Sequence, residues 1–227
     1  MAQNNQRINE ILEQFKEYLE LEEAKKHLQT MENEKNEVKE IIQKLSKLDK
    51  KSLEFTDLVL YGLLPYSKTT VAKRVSLFPA FMNIRLFFGE YKYSEEEWNL
   101  IANRIYNLCN HFRESPDEIA EFIQEFTKDK YSRRLQCGSI TPILFCLNDA
   151  YPIVNNRTIR SFRSISLIFE EKNKLSQKLD EYLNNIGQIN SLVEKIGFDL
   201  LKNHNYQDLF FYWYDSEVLS EERKIKK

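Results

Sequence analysis

The chain has 227 residues, 42% of them hydrophobic and 30% charged, which is enough to build a sizeable core in one domain or two small ones. Five Gly and five Pro exclude a collagenous or low-complexity chain, and 33 Lys+Arg against 35 Asp+Glu give a net charge of −2, which alone points neither toward nucleic acid nor away from it. Cys109, Cys137 and Cys146 lack disulfide-scaffold spacing, and the polar N-terminus and absence of a run of about 18 apolar residues complete the expectation of a cytoplasmic protein that does not enter a membrane.

The first Gly is Gly62 and the first Pro is Pro65. Before them, Ile8, Leu12, Phe15 and Leu19, then Val38, Ile41, Leu45 and Leu48, recur at helical spacing. This predicts an N-terminal helical pair over 1–50 that meets near Asn33 to Asn36. A helix over Leu53 to Leu63 follows, N-capped by Ser52, and another over Pro79 to Phe88 that stops at Gly89. Ser94 with Glu97 reads as a capping box ahead of Trp98, Ile101, Ile105 and Leu108. Ser115, Pro116 and Glu118 repeat that device ahead of Ile119, Phe122, Ile123 and Phe126.

Thr141-Pro142 is expected to open the apolar helix Ile143 to Leu147, and Pro152 to hold Tyr151 to Asn156 extended. Further helices are predicted at about Arg157 to Phe169, Leu175 to Ile186, Ile189 to Leu201 and Tyr206 to Tyr214. The last carries the cluster Leu209 to Tyr214, apolar all round and therefore buried. No alternating strand pair with a hairpin turn is visible. The expectation is an all-α fold of about ten helices, with a core over 51–217 and a charged tail over 218–227.

Charge is segregated along the chain. Residues 66–92 carry +4 and residues 127–163 carry +5, within an otherwise acidic sequence. Brought side by side, these stretches make a basic face suited to phosphates. Lys73, Arg74, Arg133 and Arg134 are assigned to the phosphate backbone, with Lys68, Lys130 and Arg163 in the same DNA-binding set. Asn155, Asn156, Arg157 and Arg160 stand nearest the bases, at the start of a helix whose arginines recur at i, i+3 and i+6.

Signatures of P-loop nucleotide binding, zinc proteolysis and Ser hydrolysis are absent. Cys109 and His111 have no second pair at zinc spacing, and Glu125 to Lys128 is one residue too long for the metal-nuclease pattern begun by Asp117. Neither an enzyme nor a cofactor is expected. The competing expectation is a helical protein-interaction or oligomerisation module, supported by the N-terminal pair and the acidic stretch 93–126.

The run Leu63-Leu64-Pro65-Tyr66-Ser67 is followed by Tyr131-Ser132 and then by Leu135 to Leu144, which contains Thr141-Pro142-Ile143-Leu144. After these come Tyr151 to Asn156 and Phe210 to Trp213. Across about residues 55–215 this order resembles the region preceding the AAA+ GTPase core in McrB-like modification-dependent restriction proteins. The resemblance implies a helical module that selects double-stranded DNA, modified or not, for an anti-phage restriction system. It also implies as partners an AAA+ GTPase core, in cis or in trans, and a McrC-like nuclease. No P-loop is present in these residues, so no GTPase activity is carried over. A looser resemblance, at fold level, is to helix-hairpin-helix DNA glycosylases: a turn at Gly138, a short helix, an extended segment and a basic helix. Asn155 stands where those enzymes carry a catalytic Asp, and Ile140 replaces their second Gly, so this resemblance supports DNA binding without base excision.

Overall fold

A computed structural model describes residues 2–63, 93–132 and 135–221, with the side chains of 2–5 excepted. The expected helix Pro79 to Phe88, the part of the Leu63 to Ser67 run after Leu63, and residues 222–227 of the charged tail lie outside the described residues. Among the described residues the chain is all-α with no strand. Its helices are α1 (Ala2–Glu20), α2 (Glu22–Leu45), α3 (Leu53–Asp57), α4 (Glu95–Glu114), α5 (Ile119–Lys128), α6 (Cys137–Leu147), α7 (Asn156–Ile168), α8 (Tyr182–Ile196) and α9 (His204–Trp213). α3 and α9 run on into π turns, Leu58–Leu63 and Tyr214–Val218. None of the described helices is long and apolar enough to cross a membrane.

Two helix starts form as their sequences dictate. Ser52 accepts the Phe55 N–H, and Ser94 and Glu97 close a reciprocal capping box. Ser115 does not repeat it, because its own N–H, which Glu118 would have to accept, already donates to the His111 carbonyl at 2.8 Å. A single 3-10 turn, Pro116–Glu118, leads into α5 instead.

The N-terminal pair breaks at Leu21, not near Asn33 to Asn36. Leu21 is extended (φ −74°, ψ 147°), while α2 runs unbroken through the asparagines. Its buried face, Ala24, His27, Met31, Lys35, Val38 and Ile42, repeats at three- and four-residue steps across that region. α2 packs against α6 and α9, and α1 sets Phe15 against Phe210 and Trp213. One continuous hydrophobic cluster therefore unites the pair with the rest of the described chain.

α6 begins at Cys137, six residues before the expected helix Ile143 to Leu147, and takes Pro142 into its interior. Gly138 is thus a helical residue, not the centre of a turn. The Thr141 hydroxyl donates to the Cys137 carbonyl at 2.9 Å and accepts the Val154 N–H, also at 2.9 Å. This fastens the extended segment 152–154 across α6. The Tyr182 hydroxyl donates to the Pro152 carbonyl and the Thr158 hydroxyl to that of Ile153, so both sides of the segment are held. The Thr141-Pro142-Ile143-Leu144 and Tyr151 to Asn156 stretches of the family resemblance thus pack on each other. Thr141→Val keeps the side-chain shape but leaves the buried Val154 N–H without an acceptor. Chemical denaturation should show a loss of about 2 kcal/mol.

The two helices expected over 175–201 are one, α8. It passes through Gly187 and stops at Gly197, whose φ of 69° a left-handed helix end requires. The cluster Leu209 to Tyr214 is buried apart from half-buried Tyr212, as its all-round apolarity predicts.

Candidate nucleic-acid interface

α7 carries three arginines and no acidic residue. Its N-cap is Asn155, whose Oδ1 accepts the N–H groups of Arg157 (2.9 Å) and Thr158 (3.1 Å). Asn155 is 3% exposed, so one of the four residues expected nearest the bases is spent on starting the helix. Asn156, one residue on, is exposed.

The helix period then decides which arginines reach the surface. Asn156, Arg160, Arg163 and Leu167 stand at i, i+4, i+7 and i+11, and all four are exposed along one stripe. Arg163 makes no ion pair among the described residues. Arg160 is half-exposed (47%) but held bidentate by Asp215, with Nε to Oδ1 at 2.8 Å and Nη2 to Oδ2 at 2.5 Å. Arg157 turns off the stripe and lies half-buried with its guanidinium 5.0 Å from the Tyr212 ring centre. There its charge acts on two buried groups, His27 on α2 and Asp208 on α9. Burial first, then Arg157, pushes the His27 imidazole down to about 4. Burial pushes the Asp208 carboxyl up to about 6, with Arg157 opposing it. Among the described residues neither ring nitrogen of His27 nor Oδ2 of Asp208 has a hydrogen-bond partner.

The chain leaves α7 by a Schellman turn with Glu170 in the left-handed position (φ 61°) and the Glu171 N–H on the Ser166 carbonyl. Six residues later the Gln177 amide donates to Asn156 Oδ1 at 2.7 Å, back at the head of the helix. A 13-residue helix is about 20 Å long, and six or seven extended residues span about the same distance. Residues 171–177 therefore run antiparallel alongside α7. Lys172, Lys174 and Lys178 on and just beyond this return strand are exposed, whereas Leu175 is buried and Glu171 is paired with Lys195. Sequence reasoning missed these lysines because a regional count dilutes them among acidic neighbours. Their one visible signal is spacing, three lysines in seven residues between two helices.

Lys130 is exposed, with its ammonium 4.4 Å from the Tyr131 ring centre. Lys68, Lys73, Arg74, Arg133 and Arg134 lie outside the described residues, and with them the expected meeting of the two basic stretches.

Lys35 is 4% exposed and donates to Glu32, Asp149 and Asn205 at 2.9, 3.0 and 2.7 Å. All three cysteines are buried free thiols, with burial pushing Cys109 and Cys137 up to about 12, so neither is a thiolate near neutrality. Among the described residues no group of three or more His, Cys, Asp or Glu is placed to hold a metal ion. Comparison of the whole chain with protein families, curated proteins and solved structures finds no match in any of the three.

Proposed function

We propose that this chain is a DNA-binding module that holds a duplex along α7 and its lysine-bearing return strand. In this reading it serves as the target-recognition part of a McrB-like restriction system in anti-phage defence. The GTPase motor and McrC-like nuclease would be supplied in cis or in trans. The observation that carries the reading is the exposed stripe of Asn156, Arg160 and Arg163 on a helix without an acidic residue, flanked by Lys172, Lys174 and Lys178. An α-helix with cationic and amide side chains on one exposed face has the width and chemistry to enter a major groove. Lysines on an adjacent extended strand supply phosphate contacts that position it without reading sequence.

The reading is tested by fluorescence anisotropy of a labelled duplex over a salt series. With about 6 phosphates contacted, log K falls against log salt with a slope of about −5. Lys172→Ala combined with Lys174→Ala should weaken binding to all sequences alike and flatten the slope by about 2. An absence of binding at low salt removes the proposal.

A further inference from the structure

At the head of the exposed α7 stripe, the amides of Asn156 and Gln177 form one unit. Gln177 Nε2 donates to Asn156 Oδ1 at 2.7 Å, both residues are exposed, and neither amide makes another hydrogen bond among the described residues. The return strand does not need this bond to stay in place. The Gln177 carbonyl already accepts the Cys137 N–H at 2.9 Å. One residue earlier, buried Asn185 accepts the Ser176 N–H on Oδ1 at 2.8 Å and donates from Nδ2 to the Ser176 carbonyl at 2.9 Å. Leu175 and Leu179 anchor the strand in the core on either side. Asn156 is equally fixed, as the first residue of a helix N-capped by Asn155. Two amides on rigid backbones thus hold each other still at the surface.

An amide–amide bond uses one N–H and one oxygen lone pair, so a donor and an acceptor of the pair remain, whichever amide donates. Donor and acceptor held in fixed relation bind a matching pair without first losing side-chain freedom. In the major groove of a duplex, adenine alone among the bases sets an acceptor, N7, beside a donor, N6–H2. Guanine shows two acceptors and suits an arginine fork, cytosine shows a donor, and thymine an acceptor beside a methyl group. Arg160, next along the stripe, has its fork committed to Asp215, which leaves the amide pair as the base-reading group at this end.

We infer that the Asn156–Gln177 pair reads an adenine from the major groove. The inference rests on the DNA-binding reading above and adds to it the base that α7 selects. Asn156 Nδ2 donates to adenine N7, and the adenine N6–H2 donates to the amide oxygen beside it. Gln177 is a positioning residue, which stops the Asn156 amide from turning over. Residues at the N-terminal end of a recognition helix are the ones that reach base edges. Exposed Lys178, directly after Gln177, supplies a phosphate contact at the same end.

The probes are two labelled duplexes of repeating dG-dA paired with dT-dC, one ordinary and one with every adenine replaced by 7-deazaadenine. The repeat offers adenine at every second step, so no binding register is assumed. The deaza base lacks the N7 acceptor but keeps its Watson–Crick pairing. Fluorescence anisotropy with the whole chain should show the ordinary duplex binding about tenfold more tightly. The ratio of the two affinities is the readout, because a variant that fails to fold loses both. Asn156→Ala should bring the ratio to about 1 with the parent's salt slope, since an amide neutralises no phosphate. Gln177→Ala should lower the ratio about threefold, by freeing the Asn156 amide to turn. No binding of either duplex removes the DNA reading and this inference with it. Equal binding of the two by the parent, or a preference that Asn156→Ala leaves untouched, overturns the adenine inference while the DNA reading stands.

Discussion

Replacing His27 by leucine and Asp208 by asparagine, one at a time, should tilt the acid side of the stability profile in opposite directions. His27 is held neutral in the folded protein down to about 4, while its unfolded imidazole takes up a proton below its ordinary 6.5. Its contribution is therefore complete above pH 6.5 and is lost as pH falls toward 4, about 3 kcal/mol over the full window. Asp208 behaves in the reverse sense. Folded, it keeps its proton up to about 6; unfolded, it ionises above 3.8. Its contribution is complete below pH 3.8 and is lost as pH rises toward 6, again by about 3 kcal/mol.

Between about pH 4 and 6 the two slopes cancel in the parent protein. Relative to the parent, His27→Leu should gain stability as pH is lowered from 6.5 to 4, and Asp208→Asn should lose it over nearly the same interval. The double variant should run parallel to the parent. Urea denaturation at half-unit pH steps reads all three profiles, and single-variant profiles parallel to the parent would refute the assignment. Arg157, the first arginine of α7, faces this buried pair and Tyr212, so in the proposed DNA-binding reading a groove-facing role falls to Asn156, Arg160 and Arg163.

Local chemistry made much of this fold legible in advance. Ser52, and Ser94 with Glu97, cap helices because their side chains meet N–H groups three residues away, and nothing distant intervenes. The extended 152–154 part of the Tyr151 to Asn156 segment and the burial of most of Leu209 to Tyr214 follow as directly, from proline sterics and from a surface with no polar face. What the sequence hid is tertiary. Leu21 breaks the N-terminal pair without Gly or Pro, and polar Asn33 and Asn36 do not, because α2 is bound to α6 and α9 along one face through that region. Pro142 is tolerated inside α6, where Thr141 ties the preceding turn to Val154, thirteen residues on.

The interface shows the same division. The three arginines were found from composition and period, but their neighbours were not. Asp215 lies 55 residues from Arg160, and Gln177 lies 21 from Asn156. No window along the chain contains either pair. Helical spacing alone places Arg157 and Arg160 on nearly the same side, whereas the folded protein turns one onto Tyr212 and leaves the other half-exposed.

If α7 binds DNA as proposed, loss of the Arg160–Asp215 pair should move stability and DNA affinity in opposite directions. Asp215 is 10% exposed at its side chain and sits in the π turn that continues α9, so the pair ties α7 to the C-terminal end of the described chain. Asp215→Asn keeps the volume but discharges the carboxylate, and the lost charge-assisted bonds should cost about 2 kcal/mol, less than a fully buried pair because Arg160 is half-hydrated. The same change leaves the Arg160 guanidinium without its counter-charge on the exposed stripe. Duplex binding should then tighten about tenfold at 0.1 M salt, and the salt slope should steepen by about 1, the signature of one more phosphate neutralised. A variant that is less stable yet binds DNA more tightly is not what a protein-interaction module would give. Lower stability with unchanged binding would instead mark the pair as a helix tie alone and move the DNA-contacting surface off α7.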